Sequence, residues 1–177
     1  MTSAAFVLHL NNAYWLDDDD LSAHGDITLL VNGVDIVARA TNGWNLNWSS
    51  VRLLTSVFQD IPTSDHTMIA CGCTIGPLCG SDICFAVHHH DGHVTLSDFE
   101  NRHVEGGMEK FKGLAITLPW REYAEQVYDL AARSLAFLPE DRTGEDEWET
   151  GIYRKFRQEH SDLLEKLEKR MNEGLSI

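Results

Sequence analysis

Two dipeptides constrain this chain more than any other feature. Asn32-Gly33 separates residues 27–31 from 34–37, and Asp91-Gly92 separates residues 82–90 from 93–97. All four flanking runs have strand character. A two-residue hairpin turn needs positive φ at both central positions, and Asn-Gly and Asp-Gly supply it at least steric cost. Two antiparallel hairpins are therefore expected.

The other elements follow from periodicity. Residues 5–10 alternate and read as a first strand that Asn11-Asn12 ends. Residues 15–20 lead into a polar loop. Asn47 or Ser49 can cap a helix whose apolar face is Val51, Leu54, Val57 and Phe58, with Pro62 beyond its end. Residues 68–71 read as a short buried strand, and 114–117 as another. Pro119 sits where a helix start tolerates proline, and Tyr123, Val127, Leu130, Ser134 and Leu138 then step at helical spacing through a helix over 120–137. Pro139 stops it. A last helix is expected from about Glu145 to Asn172, with Trp148, Ile152, Phe156, Leu163, Leu167 and Met171 as its stripe. Such a helix is roughly 40 Å long, more than a small sheet covers. Its distal half is expected to pack against another chain or to lie back across the sheet's open face.

This pattern predicts an α+β fold: a mainly antiparallel sheet built from hairpins, with helices packed on it and a long C-terminal helix. The domain reading is 1–139 for the α+β domain and 140–177 for an acidic linker with the C-terminal amphipathic helix. There is no βαβ series, Gly-rich phosphate loop or nucleophile elbow. The chain's 177 residues, 43% of them hydrophobic, are enough for a real core.

Charge narrows the partners. Fourteen Lys and Arg against 28 Asp and Glu leave a net charge of −14. A field of that sign repels nucleic acid and anionic lipid and favours basic partners. No apolar run reaches the roughly 20 residues needed to cross a bilayer, and the first ten residues lack the basic region of a signal peptide, so a cytoplasmic location is expected. The acids concentrate in Asp17, Asp18, Asp19 and Asp20, and in residues 140–149, where six acids stand beside one arginine. Asp17, Asp18, Asp19, Asp20, Glu145, Asp146, Glu147 and Glu149 are the candidate partner-binding residues. Four consecutive aspartates without a glycine do not match a calcium loop.

Two clusters have metal-ligand chemistry. Cys71, Cys73, Cys79 and Cys84 lie within 14 residues. Their spacing opens with C-x-C where zinc knuckles use C-x2-C, which leaves a zinc site, reactive thiols and ordinary buried cysteines as the readings. On the second hairpin, alternation puts His88, His90 and His93 on one face at the tip, opposite Phe85, Val87, His89, Val94 and Leu96. Imidazoles gathered there could bind zinc or copper, or simply form a solvated hairpin end. The expectation is no cofactor, with zinc as the alternative. Trp44 and Trp48 flank a helix start and read as core rather than as a stacking platform.

The stretch CGCTIGPLCGSDICFAVHHHDGHVTLSDF, residues 71–99, with Pro119-Trp120-Arg121-Glu122-Tyr123 after it, resembles small bacterial proteins that carry a Cys-x-Cys-Gly-type loop. Their size and plan are those of immunity proteins, which neutralise bacterial toxins. Thr74 stands where the related pattern often carries glycine. The resemblance covers about a third of the chain and brings no catalytic residues with it. It implies an acidic interaction protein, an immunity-type inhibitor of a basic toxin. The alternatives are a metal-binding protein using the Cys or His cluster, and a structural or regulatory homodimer. No local motif singles out a nucleophile, so an enzyme is the less favoured reading.

Overall fold

A computed structural model describes residues 5–18, 20–37, 43–62, 67–72, 82–104 and 107–174. The elements run β1 (Phe6–Tyr14), β2 (His24–Val31), β3 (Val34–Asp35), β4 (Trp44–Asn45), α1 (Leu46–Ser56), β5 (Thr67–Cys71), β6 (Ile83–His90), β7 (His93–Val104), β8 (Gly107–Lys110), β9 (Ile116–Pro119), α2 (Trp120–Phe137) and α3 (Glu147–Asn172). The strands form an antiparallel sheet in the order β1-β2-β4-β5-β6-β7-β8, with β3 beside β2 and β9 beside β7. The fold is α+β, as the hairpin signals predict.

Both turns have the expected backbone. Asn32 and Gly33 take φ of 51° and 81°, and Asp91 and Gly92 take 46° and 75°. Around the second turn His90 pairs with His93, His88 with Thr95 and Val87 with Leu96. The first hairpin is shorter than the sequence implies. Its return strand is only Val34–Asp35, and Ile36 then turns into the core, fully buried.

Strand ends depart from the pattern where bulges intervene. Asn11 does not end β1. Leu10 pairs with Ile27 and Asn12 with Asp26, so one extra residue is absorbed at Asn11 and the strand continues to Tyr14. The strand expected at 114–117 lies two residues later, because Leu96 pairs with Ile116 and His93 with Pro119. Pro119 is tolerated there because it ends the strand. It also serves as the N-cap residue of α2.

Edge strand β1 is covered. Gln126 of α2 accepts from Leu8 N at 2.7 Å and donates to Phe6 O at 3.4 Å, and Arg133 donates to Leu10 O at 3.3 Å. These side chains occupy backbone groups that another strand would otherwise pair with.

α1 is capped two residues before Asn47, the nearer of the two expected caps. Asn45 accepts from Trp48 N at 3.0 Å and caps it. Asn47 lies inside the helix and does other work, described below. α1 packs on β5 and α2 on β1, and the two helices pack on each other. Tyr123 of α2 is fully buried, its hydroxyl 2.6 Å from Ser56 Oγ of α1. Burial pushes its phenol well above the ordinary range.

α3 forms a third layer on α1 and α2, not on the sheet. Its buried line is Tyr153, His160 and Leu167, with Phe156, Leu163, Leu164 and Met171 half-buried beside it. The expected stripe is thus out of phase at its start. Ile152 and Trp148 lie about 100° and 140° around the helix from Tyr153, and they are 38% and 72% exposed. The distal half, expected against another chain or the sheet, is covered by this chain's own helices. Tyr153 donates to Pro139 O at 2.7 Å and Arg157 to Leu138 O at 3.0 Å, which satisfies carbonyls left open where α2 ends. No helix among the described residues is long and apolar enough to cross a membrane.

Candidate functional site

Arg142 is the one basic residue among residues 140–149. Its Nε donates to Asp20 O at 2.6 Å, and its Nη2 to Asp18 O at 2.9 Å and Asp17 O at 3.1 Å. Its guanidinium lies 3.7 Å from the centre of the Trp15 ring, and that ring stacks on Phe137 at 5.4 Å. Two acidic segments more than a hundred residues apart are therefore stapled together by one cation. A planar fork that reaches several carbonyls while stacking on an indole is a geometry lysine does not reproduce.

The contact opens a cleft of about 640 Å³ between the 16–24 loop, the start of α1 and the first turns of α3. Four of its lining residues are acidic: Asp17, Asp20, Glu145 and Glu149. Its apolar walls include Leu16, Trp48, Ile152 and Phe156, with the Trp48 and Phe156 rings 4.8 Å apart. Leu16 is 48% exposed, and Trp148 stands one turn before Ile152 on the outer surface.

The 16–24 loop is held from several sides. Asn47 donates to Leu21 O at 3.0 Å and accepts from Ala23 N at 3.1 Å, so its amide pairs with the loop as a strand would. Asp20 accepts from Ser22 N at 2.8 Å and from His24 Nε2 at 2.6 Å. Burial alone would raise the Asp20 carboxyl. The bonds from His24 and Ser22 and the charges of His24 and Arg142 outweigh burial and hold it low. His24 is 2% exposed and lines the cleft, and its Nδ1 has no hydrogen-bond partner. On the other wall, Asp146 caps α3 by accepting from Glu149 N at 2.8 Å, and Glu149 Oε2 accepts from Glu145 N at 3.0 Å. Acids in the first turn also suit the helix dipole. Glu145 and Glu149 make no ion pair among the described residues. At Gly144 an added Cβ would lie 2.7 Å from both Leu21 Cδ1 and Glu149 Cβ, so the two walls meet there at backbone distance.

Of the candidate partner-binding residues, Asp17, Asp20, Glu145 and Glu149 come together in the cleft. Asp18 is exposed on the same loop, Asp146 is spent on the cap, and Glu147 is exposed beside it. Asp19 lies outside the described residues. His24, Trp48, Phe156 and the staple Arg142 are site residues that sequence reasoning missed. The contrast of a lone arginine among six acids was the available signal for Arg142.

Of the metal candidates, Cys71, Cys84, His88, His90 and His93 are among the described residues. Cys71 and Cys84 are buried, and Cys84 stands opposite Thr67, four residues before Cys71 on β5. Cys73 and Cys79 lie outside the described residues. His90 and His93 do pair across the hairpin, their rings stacked at 6.2 Å. His90 Nε2 is 2.8 Å from Thr95 Oγ1, His93 Nδ1 is 3.0 Å from Asp91 O, and His88 Nδ1 is 3.7 Å from Asp60. Each ring thus has its own partner. Among the described residues, no group of three or more His, Cys, Asp or Glu is placed to hold a metal ion.

Comparison with protein-family models, curated proteins and solved structures returns no match. The cleft's own chemistry therefore carries the functional reading. It presents negative charge from two sides around aromatic and aliphatic walls.

Proposed function

We propose that this chain is an acidic interaction protein, an immunity-type inhibitor that binds a basic protein such as a bacterial toxin through the cleft between the 16–24 loop and α3. The observation that carries this reading is the convergence of Asp17, Asp20, Glu145 and Glu149 beside the exposed Leu16, Ile152 and Trp148. Apolar anchors rimmed by charge of one sign are the anatomy of a protein-binding patch. The anchors, tryptophan above all, supply affinity, and the charge steers encounter and selects a partner of opposite sign. A net charge of −14 extends that field over the whole molecule.

The reading expects a basic, toxin-like protein to be encoded beside this chain's gene, and the test uses that protein. Co-expression is expected to relieve its toxicity, and the purified proteins to form a one-to-one complex. Trp148→Ala is expected to weaken that complex by about 2 kcal/mol or more, the scale of a hot-spot residue. Full protection by a Trp148→Ala, Glu145→Gln, Glu149→Gln variant would reject the cleft as the binding surface.

A further inference from the structure

We propose that the first hairpin turn is a site of non-enzymatic modification, where the Gly33 amide nitrogen attacks the Asn32 side chain and converts it, through a cyclic imide, to aspartate and isoaspartate. Two asparagines of the chain precede glycine, Asn32 and Asn42, and the structure favours the first. Ring closure needs water, room around the glycine and a backbone that can swing onto the side-chain carbonyl. Asn32 and Gly33 are both exposed, and a Cβ at Gly33 would meet nothing within 4 Å. The Asn32 side chain is held by a hydrogen bond at the long end of the usual range, Nδ2 to Ala115 O at 3.2 Å. At the second pair the glycine is confined. Gly43 is buried, its carbonyl accepts from Gly72 N at 3.1 Å, and a Cβ there would meet the Tyr14 side chain and, at 3.2 Å, Gly25 O. At the other hairpin turn Asp91 offers a carboxylate, a poorer electrophile than an amide, and Gly92 O is tied to Trp120 N at 2.9 Å.

In the first step Gly33 N gives up its proton and bonds to Asn32 Cγ. The Cγ–Nδ2 bond breaks, and Nδ2 leaves as ammonia, taking up a proton by way of solvent. Water then adds to either carbonyl of the imide. Opening at Cγ restores the ordinary backbone with aspartate. Opening at the backbone carbonyl leaves isoaspartate, with the chain now running through Cγ and a methylene longer. Either product replaces the Nδ2 donor with a carboxylate, which cannot donate to Ala115 O. Isoaspartate also lengthens a two-residue turn that pairs Val31 with Val34 and seats Asn32 N on Ala5 O at 2.7 Å. The register that such a turn fixes is then lost.

The full chain is incubated at mildly alkaline pH, folded and denatured in parallel, then digested and mapped by mass spectrometry. An isoaspartate-specific methyltransferase distinguishes the two products. In the folded chain Asn32 is expected to convert about tenfold or more faster than Asn42, with isoaspartate the larger product. In the denatured chain the two are expected to convert at similar rates. Converted protein is expected to exchange the amides of residues 29–36 faster than fresh protein, since the turn and its bonds to Ala5 and Ala115 are lost. Asn32→Gly, which keeps the positive φ that the turn needs, is expected to give no product there. Asn32 that stays intact in the folded chain while converting in the denatured one would overturn the proposal. So would equal conversion of Asn32 and Asn42 in the folded chain, or aspartate formed without isoaspartate.

Discussion

Arg142, just before α3, and His160, at its middle, each support a separate prediction. Arg142→Ala removes three hydrogen bonds and a stacked cation from the acidic loop. The expected cost is about 1–3 kcal/mol, with faster amide exchange across residues 15–22 and little change in the sheet. Chemical denaturation and hydrogen exchange measure both, and unchanged exchange in that loop would mean that Arg142 does not hold it. His160 is 1% exposed between α3 and α2, and its Nε2–H donates to Ala131 O at 2.9 Å. Burial pushes its imidazole down from 6.5 to about 4. The bond to Ala131 opposes that shift, and the charge of Arg157 adds to it. The folded chain thus binds this proton less readily than the unfolded chain. The neutral ring's stability is fully present above pH 6.5 and is lost as pH falls toward 4. Up to about 3 kcal/mol is at stake. That window lies above the one in which Asp20, Asp60 and Glu100 become protonated, since all three are held below the ordinary carboxyl range. Denaturation at a series of pH values is expected to show the loss, and His160→Gln to flatten it.

At the scale of elements, α3 is part of the core rather than an appendage. Leu167 is fully buried, and Leu163, Leu164 and Met171 pack beside it. Leu167→Ala is expected to cost about 2–4 kcal/mol. Truncation after His160 is expected to lower the melting temperature by uncovering α1 and α2. A truncated chain as stable as the full one would show that this packing contributes nothing. The sequence made the hairpins and α2 legible because turn chemistry and helical period are local. It hid the phase of α3 because Trp148 and Ile152 are apolar yet face out, while the buried line passes through Tyr153 and His160. It hid the extent of β1 because a bulge absorbs Asn11, and only pairing with β2 reveals that.

Across the whole molecule, the site depends on chain segments that are distant in sequence. Asp17 and Asp20 come from the loop after β1, Trp48 from α1, and Glu149 from α3. Each acidic run was visible as a candidate surface, but nothing in the spacing showed that they share one cleft, because a tertiary contact, Arg142 on the loop carbonyls, joins them. The aromatic walls were hidden for the same reason, and Trp48 reads as core until Phe156 is placed beside it. If the joined charges steer a basic partner, they act mainly on association. The most direct measurement is therefore the association rate with the basic partner between low and physiological salt. It compares the native chain with the Asp17→Asn, Asp20→Asn, Glu145→Gln, Glu149→Gln variant. The native rate is expected to fall steeply with salt, and the variant to associate about tenfold or more slowly at low salt with a flatter dependence. Equal rates and equal salt slopes for the two proteins would contradict the assignment of this cleft as the partner-binding surface.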